Sequence, residues 1–124
     1  MPRKTRQPKW LPKVEEHDFA AAASYLGLIH PQAQCKTLVA ALRATGLTQF
    51  KAKDIFRASG LSLLGISNSH VEKDRAQIAK GEGLSPILLV RDEKNGKVIV
   101  ADGYHRLCAV YQVDEDAWIP CKIV

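Results

Sequence analysis

Along the first half of the chain, apolar residues fall at the three-and-four spacing that gathers them on one side of a helix. From Glu15 to Gly27, the residues Phe19, Ala22, Ala23 and Leu26 stand at i, i+3, i+4 and i+7, and Gly27 supplies a stop. Pro31 suits a first helical turn, and Cys35, Leu38, Val39 and Leu42 repeat the spacing as far as Gly46. A third helix is expected from Thr48, as its N-cap, through Ile55 and Phe56 to Gly60. The short apolar segment Leu61 to Ile66, broken by Gly65, predicts a connector or a brief strand. Capping side chains at Ser67-Asn68-Ser69 then introduce a helix from about His70 to Lys80, closed by Gly81. On its wheel Val71, Ile78 and Ala79 share one side, and His70, Lys73, Asp74 and Gln77 share the other. That polar side faces either solvent or a site.

The pattern changes at Pro86. Ile87-Leu88-Leu89-Val90 and Val98-Ile99-Val100 flank Asn95-Gly96, a hairpin signal. Ala101-Asp102-Gly103-Tyr104-His105-Arg106 follows, then a mostly apolar helix from Leu107 to Tyr111, and Ile119 to Val124 is a further strand with Pro120 near its start. The expected class is α+β, with the helical N-terminal half packed on a small mixed β-sheet built mainly from the C-terminal half. The 124 residues suit one domain, residues 14–124, whose helical N-terminal extension runs to about residue 65.

Composition adds little to this picture, but the placement of charge does. Of 18 basic residues, Arg3, Lys4, Arg6, Lys9 and Lys13 precede residue 14 without an acid among them. The remaining 13 basic residues equal the 13 acidic ones, so the net charge of +5 belongs to residues 1–13, a basic flexible arm. Such an arm either touches nucleic-acid phosphates or is simply solvated. The longest mostly apolar stretch, Phe19 to Ile29, is far short of the ~20 residues a membrane span needs. With no secretory pattern at the start, the expected location is the cytoplasm, away from membranes. Cys35, Cys108 and Cys121 are odd in number and widely spaced, as for reduced thiols, and the four histidines lack the spacing of a structural metal site.

Chemistry concentrates at the Gly103 turn. A strand that ends in glycine and opens a helix leaves backbone N–H groups unpaired, and with the helix dipole they favour an anion. Gly103 has no Cβ to block a ligand, Arg106 can grip phosphate oxygens through paired hydrogen bonds, and His105 can donate another. On this reading Arg106→Ala abolishes phosphate binding and leaves the fold intact. The alternative makes His105 and Arg106 ordinary helix residues, with Arg106 paired to a surface carboxylate such as Glu115 or Asp116.

The order of Ser85-Pro86-Ile87-Leu88-Leu89-Val90, the hairpin, Val100-Ala101-Asp102-Gly103-Tyr104-His105-Arg106-Leu107-Cys108-Ala109 and Ile119-Pro120-Cys121-Lys122-Ile123-Val124 resembles the core of the ParB/sulfiredoxin superfamily. The resemblance covers about residues 66–124. It implies that the turn at Gly103, Tyr104, His105 and Arg106 cradles the phosphates of a nucleotide such as ATP or CTP. It also implies that the upstream helix turns His70, Lys73 and Gln77 toward them. Sulfiredoxins carry their sulfur nucleophile between the glycine and the histidine, where this chain has Tyr104, so sulfinic acid reduction is not expected. Cys108, a turn further on, is expected to be an unreactive core thiol. Chromosome-partition ParB proteins continue into a helix-turn-helix region and a dimerisation segment, so a complete partition protein is not expected either.

Three functions follow from these residues. The first is a ParB-like protein that binds a nucleotide or other phosphate ligand at Gly103 to Arg106, with nucleotide hydrolysis or phosphoryl transfer as its extension. Asp102 would assist either through a magnesium ion or by capping the helix. The second is a DNA-binding or nuclease-like protein using the basic arm and the helix pair around Leu47 to Gly60, where Phe50 to Gly60 has the apolar spacing and terminal glycine of a helix-turn-helix element. The third is an interaction module without catalysis.

Overall fold

Ile87-Leu88-Leu89-Val90 is apolar at every position, which suits a strand covered on both sides. The computed structural model, which describes residues 7–63 and 68–124, places it that way. In chain order the elements are β1 (Lys9–Trp10), α1 (Glu16–Leu26), α2 (Gln32–Ala44), β2 (Thr48–Lys51), α3 (Ala52–Ser59), α4 (Ser69–Lys80), β3 (Gly83–Leu84), β4 (Ile87–Asp92), β5 (Lys97–Asp102), α5 (Tyr104–Val113) and β6 (Trp118–Ile123). The class is α+β. A mixed four-stranded sheet runs in the order β2-β6-β4-β5, with β6 antiparallel to β2 and parallel to β4, and β4 antiparallel to β5.

Because side chains alternate across a strand, consecutive residues of β4 feed two cores. Ile87 and Leu89 join Val100, Ile119 and Cys121 under α3, α4 and α5, packed with Ile55, Val71, Ile78 and Leu107. Leu88 and Val90 join Ala101 under α1 and α2, packed with Phe19, Ala22, Leu26 and Leu42. The sheet therefore lies between two helical layers.

The N-terminal half is divided more than expected. Its first two helices cover one face, but Thr48–Lys51 is an edge strand of the sheet rather than the start of a third helix. Phe50 pairs with Ile119 there, and the β-branched and aromatic residues Thr48 and Phe50 favour the extended chain. Only Ala52–Ser59 is helical, ending at Gly60 with φ of 66°. Phe50 to Gly60 is thus a strand end and one short helix, which removes the helix pair of the DNA-binding expectation.

Asn68 caps α4, its Oδ1 accepting from the amides of His70 and Val71, and Gly81 closes the helix at φ of 76°. Ser67 and the second half of the Leu61–Ile66 segment, residues 64–66, lie outside the described residues, as do Arg3, Lys4 and Arg6 of the arm; residues 61–63 carry no regular structure. Lys9 and Trp10 of the arm pair in parallel with Gly83 and Leu84, so this part of it is a strand. The hairpin turn is longer than Asn95-Gly96 alone: a 3₁₀ turn over Glu93–Asn95 precedes Gly96. No helix among the described residues is long and apolar enough to cross a membrane.

Candidate functional site

β5 delivers Asp102 to the rim of the sheet, and Gly103 turns the chain into α5 with φ of 108°. A Cβ at Gly103 would lie 2.8 Å from Ile87 Cβ and 2.9 Å from Arg106 Nη2. Glycine is therefore required twice, for the backbone angle and for the guanidinium that lies against it. No side chain caps α5. The first intrahelical bond, from the Leu107 amide to the Gly103 carbonyl, leaves the amides of Tyr104, His105 and Arg106 ahead of the helix.

The N-terminal turns of α4 and α5 meet at a cleft of about 230 Å³. His70, Lys73 and Asp74 line it from α4, and Asp102, Gly103, His105 and Arg106 line it from the β5–α5 turn. The imidazoles of His70 and His105 stand 4.8 Å apart, centre to centre. Burial, and then the neighbouring His70, hold the His105 pKa below its ordinary value against the pull of Asp74. The Asp74 carboxyl is raised chiefly by burial, opposed by Arg106, His105, Lys73 and His70. Burial also raises Asp102, with Arg106 lowering it and Asp18 raising it.

Arg106 is paired, but with neither Glu115 nor Asp116. Its Nη2 donates to Asp102 Oδ2 at 2.6 Å and its Nη1 to Asp18 Oδ2 at 3.0 Å. Asp102 therefore does not cap the helix; its carboxylate holds the guanidinium. Arg106→Ala would strand two largely buried carboxylates, so the expectation of an intact fold in that variant does not survive this network.

Six of the expected residues, Gly103, His105, Arg106, His70, Lys73 and Asp102, line the cleft. Gln77, a turn along α4, does not line it, and the Tyr104 side chain packs against the core beside Cys108. Burial and Cys108 push the Tyr104 hydroxyl up to about 12, so it stays protonated at neutral pH. Cys108 is fully buried, as an unreactive core thiol should be. Asp18, in the first turn of α1, was absent from the expected set. Its one sequence signal is an acid beside Phe19 on a helix whose other buried positions are apolar. Larger openings exist, including a groove of about 690 Å³ along α1 and α2, lined by the apolar Ala23, Cys35 and Val39 together with His30, Lys36 and Arg43.

Asp102 Oδ2, the group expected to meet magnesium, is already bonded to a guanidinium that a cation would have to displace. Among the described residues no three histidines, cysteines or carboxylates group as metal ligands. No protein-family model matches the chain, and neither does any curated protein or solved structure.

Proposed function

We propose that this protein is a ParB/sulfiredoxin-like phosphate binder whose cleft takes a phosphate group of a nucleotide. The observation that carries this reading is the meeting of two helix N-termini with His70, Lys73 and His105 at one small cleft. Lys73 is exposed and has no ion pair among the described residues, so its ammonium is available to an anion. A helix N-terminus adds the equivalent of roughly half a positive charge, and α5 adds amides that no side chain caps, whereas the His70 and Val71 amides of α4 are taken by Asn68. Arg106, bonded twice to carboxylates, keeps its remaining N–H groups for the ligand. At about 230 Å³ the cleft is smaller than the ~300 Å³ at which small-molecule pockets begin, so it fits a phosphate group and leaves the nucleoside outside.

Calorimetric titration of ATP, ADP, CTP and GTP, with and without magnesium, tests this reading in the wild type and in Lys73→Ala and His105→Gln. The expected result is saturable binding of at least one nucleotide, weakened by about tenfold in each variant, equivalent to roughly 1.4 kcal/mol. Neither substitution strands a buried partner, so lost affinity would report on the site. Absence of saturable binding by the wild type would overturn the phosphate reading and leave the non-catalytic interaction module in its place. A short DNA duplex titrated in parallel gives the nucleic-acid reading its own readout, which rests on the basic arm alone.

A further inference from the structure

Asp18 belongs to α1, on the opposite side of the sheet from α4 and α5, yet it lines the same cleft. Its residue is 4% exposed. A carboxylate so buried is costly unless it is paired and hydrogen-bonded, and this one is both. Oδ2 accepts from Ser85 Oγ at 2.5 Å and from Arg106 Nη1 at 3.0 Å, while Oδ1 faces His17 Nε2 at 3.2 Å. Ser85 is itself fixed, because its hydroxyl accepts from the Glu15 amide at 3.0 Å. Ser85 stands just before β4 and Glu15 just before α1, so the entries to two elements lock the carboxylate in place.

Arg106 sits at the far end of this chain of bonds. Its guanidinium is a planar fork of five donors. Asp18 holds one Nη and Asp102 the other, and the side chain is only 14% exposed. A planar group fixed at two corners cannot rotate, so its remaining N–H groups keep one direction. Long side chains otherwise lose rotamer entropy when they bind, and ordering them beforehand removes that cost from binding.

We infer that Asp18 is the positioning residue of the cleft: supplied by α1 and anchored by Ser85, it presets the Arg106 guanidinium for the phosphate group. This deepens the phosphate reading and rests on it. Asp18 acts through Arg106, and its charge works against an anion. Position and charge therefore have opposite effects, which makes them separable. If Asp18 mattered only as a negative charge, removing it by any substitution would tighten anion binding. If it positions Arg106, a side chain that keeps the acceptor preserves binding and one that lacks it does not.

The test is ADP titration by calorimetry into the wild type, Asp18→Ala, Asp18→Asn and Ser85→Ala, each with a thermal melt. Expected affinities are about tenfold weaker for Asp18→Ala, about threefold weaker for Ser85→Ala, and within about threefold of wild type for Asp18→Asn, whose amide oxygen still accepts from Arg106. Wild-type or tighter binding by a folded Asp18→Ala overturns the inference and leaves the phosphate reading standing. Equal weakness of Asp18→Ala and Asp18→Asn also overturns it. Should Asp18→Ala fail to fold, Ser85→Ala decides, and unchanged affinity there overturns the inference. A wild type that binds no ADP but binds another nucleotide moves the series to that nucleotide. A wild type that binds none overturns the phosphate reading, and the inference falls with it.

Discussion

Gly103 is the residue on which the cleft turns. With φ of 108° it occupies a backbone region that L side chains rarely adopt, and an added Cβ meets both Ile87 and the Arg106 guanidinium. The left-handed backbone alone costs roughly 1–2 kcal/mol for a residue with a Cβ, and displacing a core isoleucine adds to it. Gly103→Ala is therefore expected to lower unfolding free energy by about 2–4 kcal/mol, read from a urea titration. A loss of about 0.5 kcal/mol or less would mean that Ile87 and Arg106 move aside freely. Either way Arg106 shifts, so this substitution couples the fold directly to the site.

Among the elements, α4 shows how a cap can serve a site. Asn68 Oδ1 accepts from the amides of His70 and Val71, the first residue a cleft histidine and the second a fully buried core residue. Replacing an N-cap of this kind by alanine costs about 1 kcal/mol, so Asn68→Ala should lower stability by about that amount, and chemical denaturation measures it. This helix was legible in the sequence because Asn68, Gly81 and the Val71–Ile78 spacing agree on its limits. The turn from β5 into α5 was legible for the same reason: Gly103 separates an aliphatic run from a helical one. β2 was not, because Thr48 suits an N-cap as well as a strand, and the choice was made by a partner far along the chain at Ile119. Asp18 was missed through distance as well. Apart from its place beside Phe19, nothing local distinguishes it from a solvated acid in a first helical turn, and its partners Ser85 and Arg106 come from the other half of the sequence.

At the scale of the whole molecule, two cores share one sheet. Leu88 is fully buried toward α1 and α2, and Leu89 is almost as buried toward α3, α4 and α5. Leu88→Ala is expected to cost about 2–5 kcal/mol through lost burial and the cavity it leaves. Because Leu88 faces the layer that carries Asp18, hydrogen exchange in α1 and α2 should accelerate at least as much as in α4 and α5. Faster exchange confined to the α4–α5 side would show that the layers do not depend on each other in this way.

The sheet order sets a further condition on how this molecule is assembled. β6 is the last element in sequence yet lies between β2 and β4, so no other strand joins the edge to the rest of the sheet. Thr48 finds its partner at Cys121, more than half the sequence away. Closing so long a loop carries an entropy cost that only the completed pairing offsets. A chain emerging from the ribosome therefore holds β2 unpaired, Phe50 included, until residues 118–123 arrive to fill the gap.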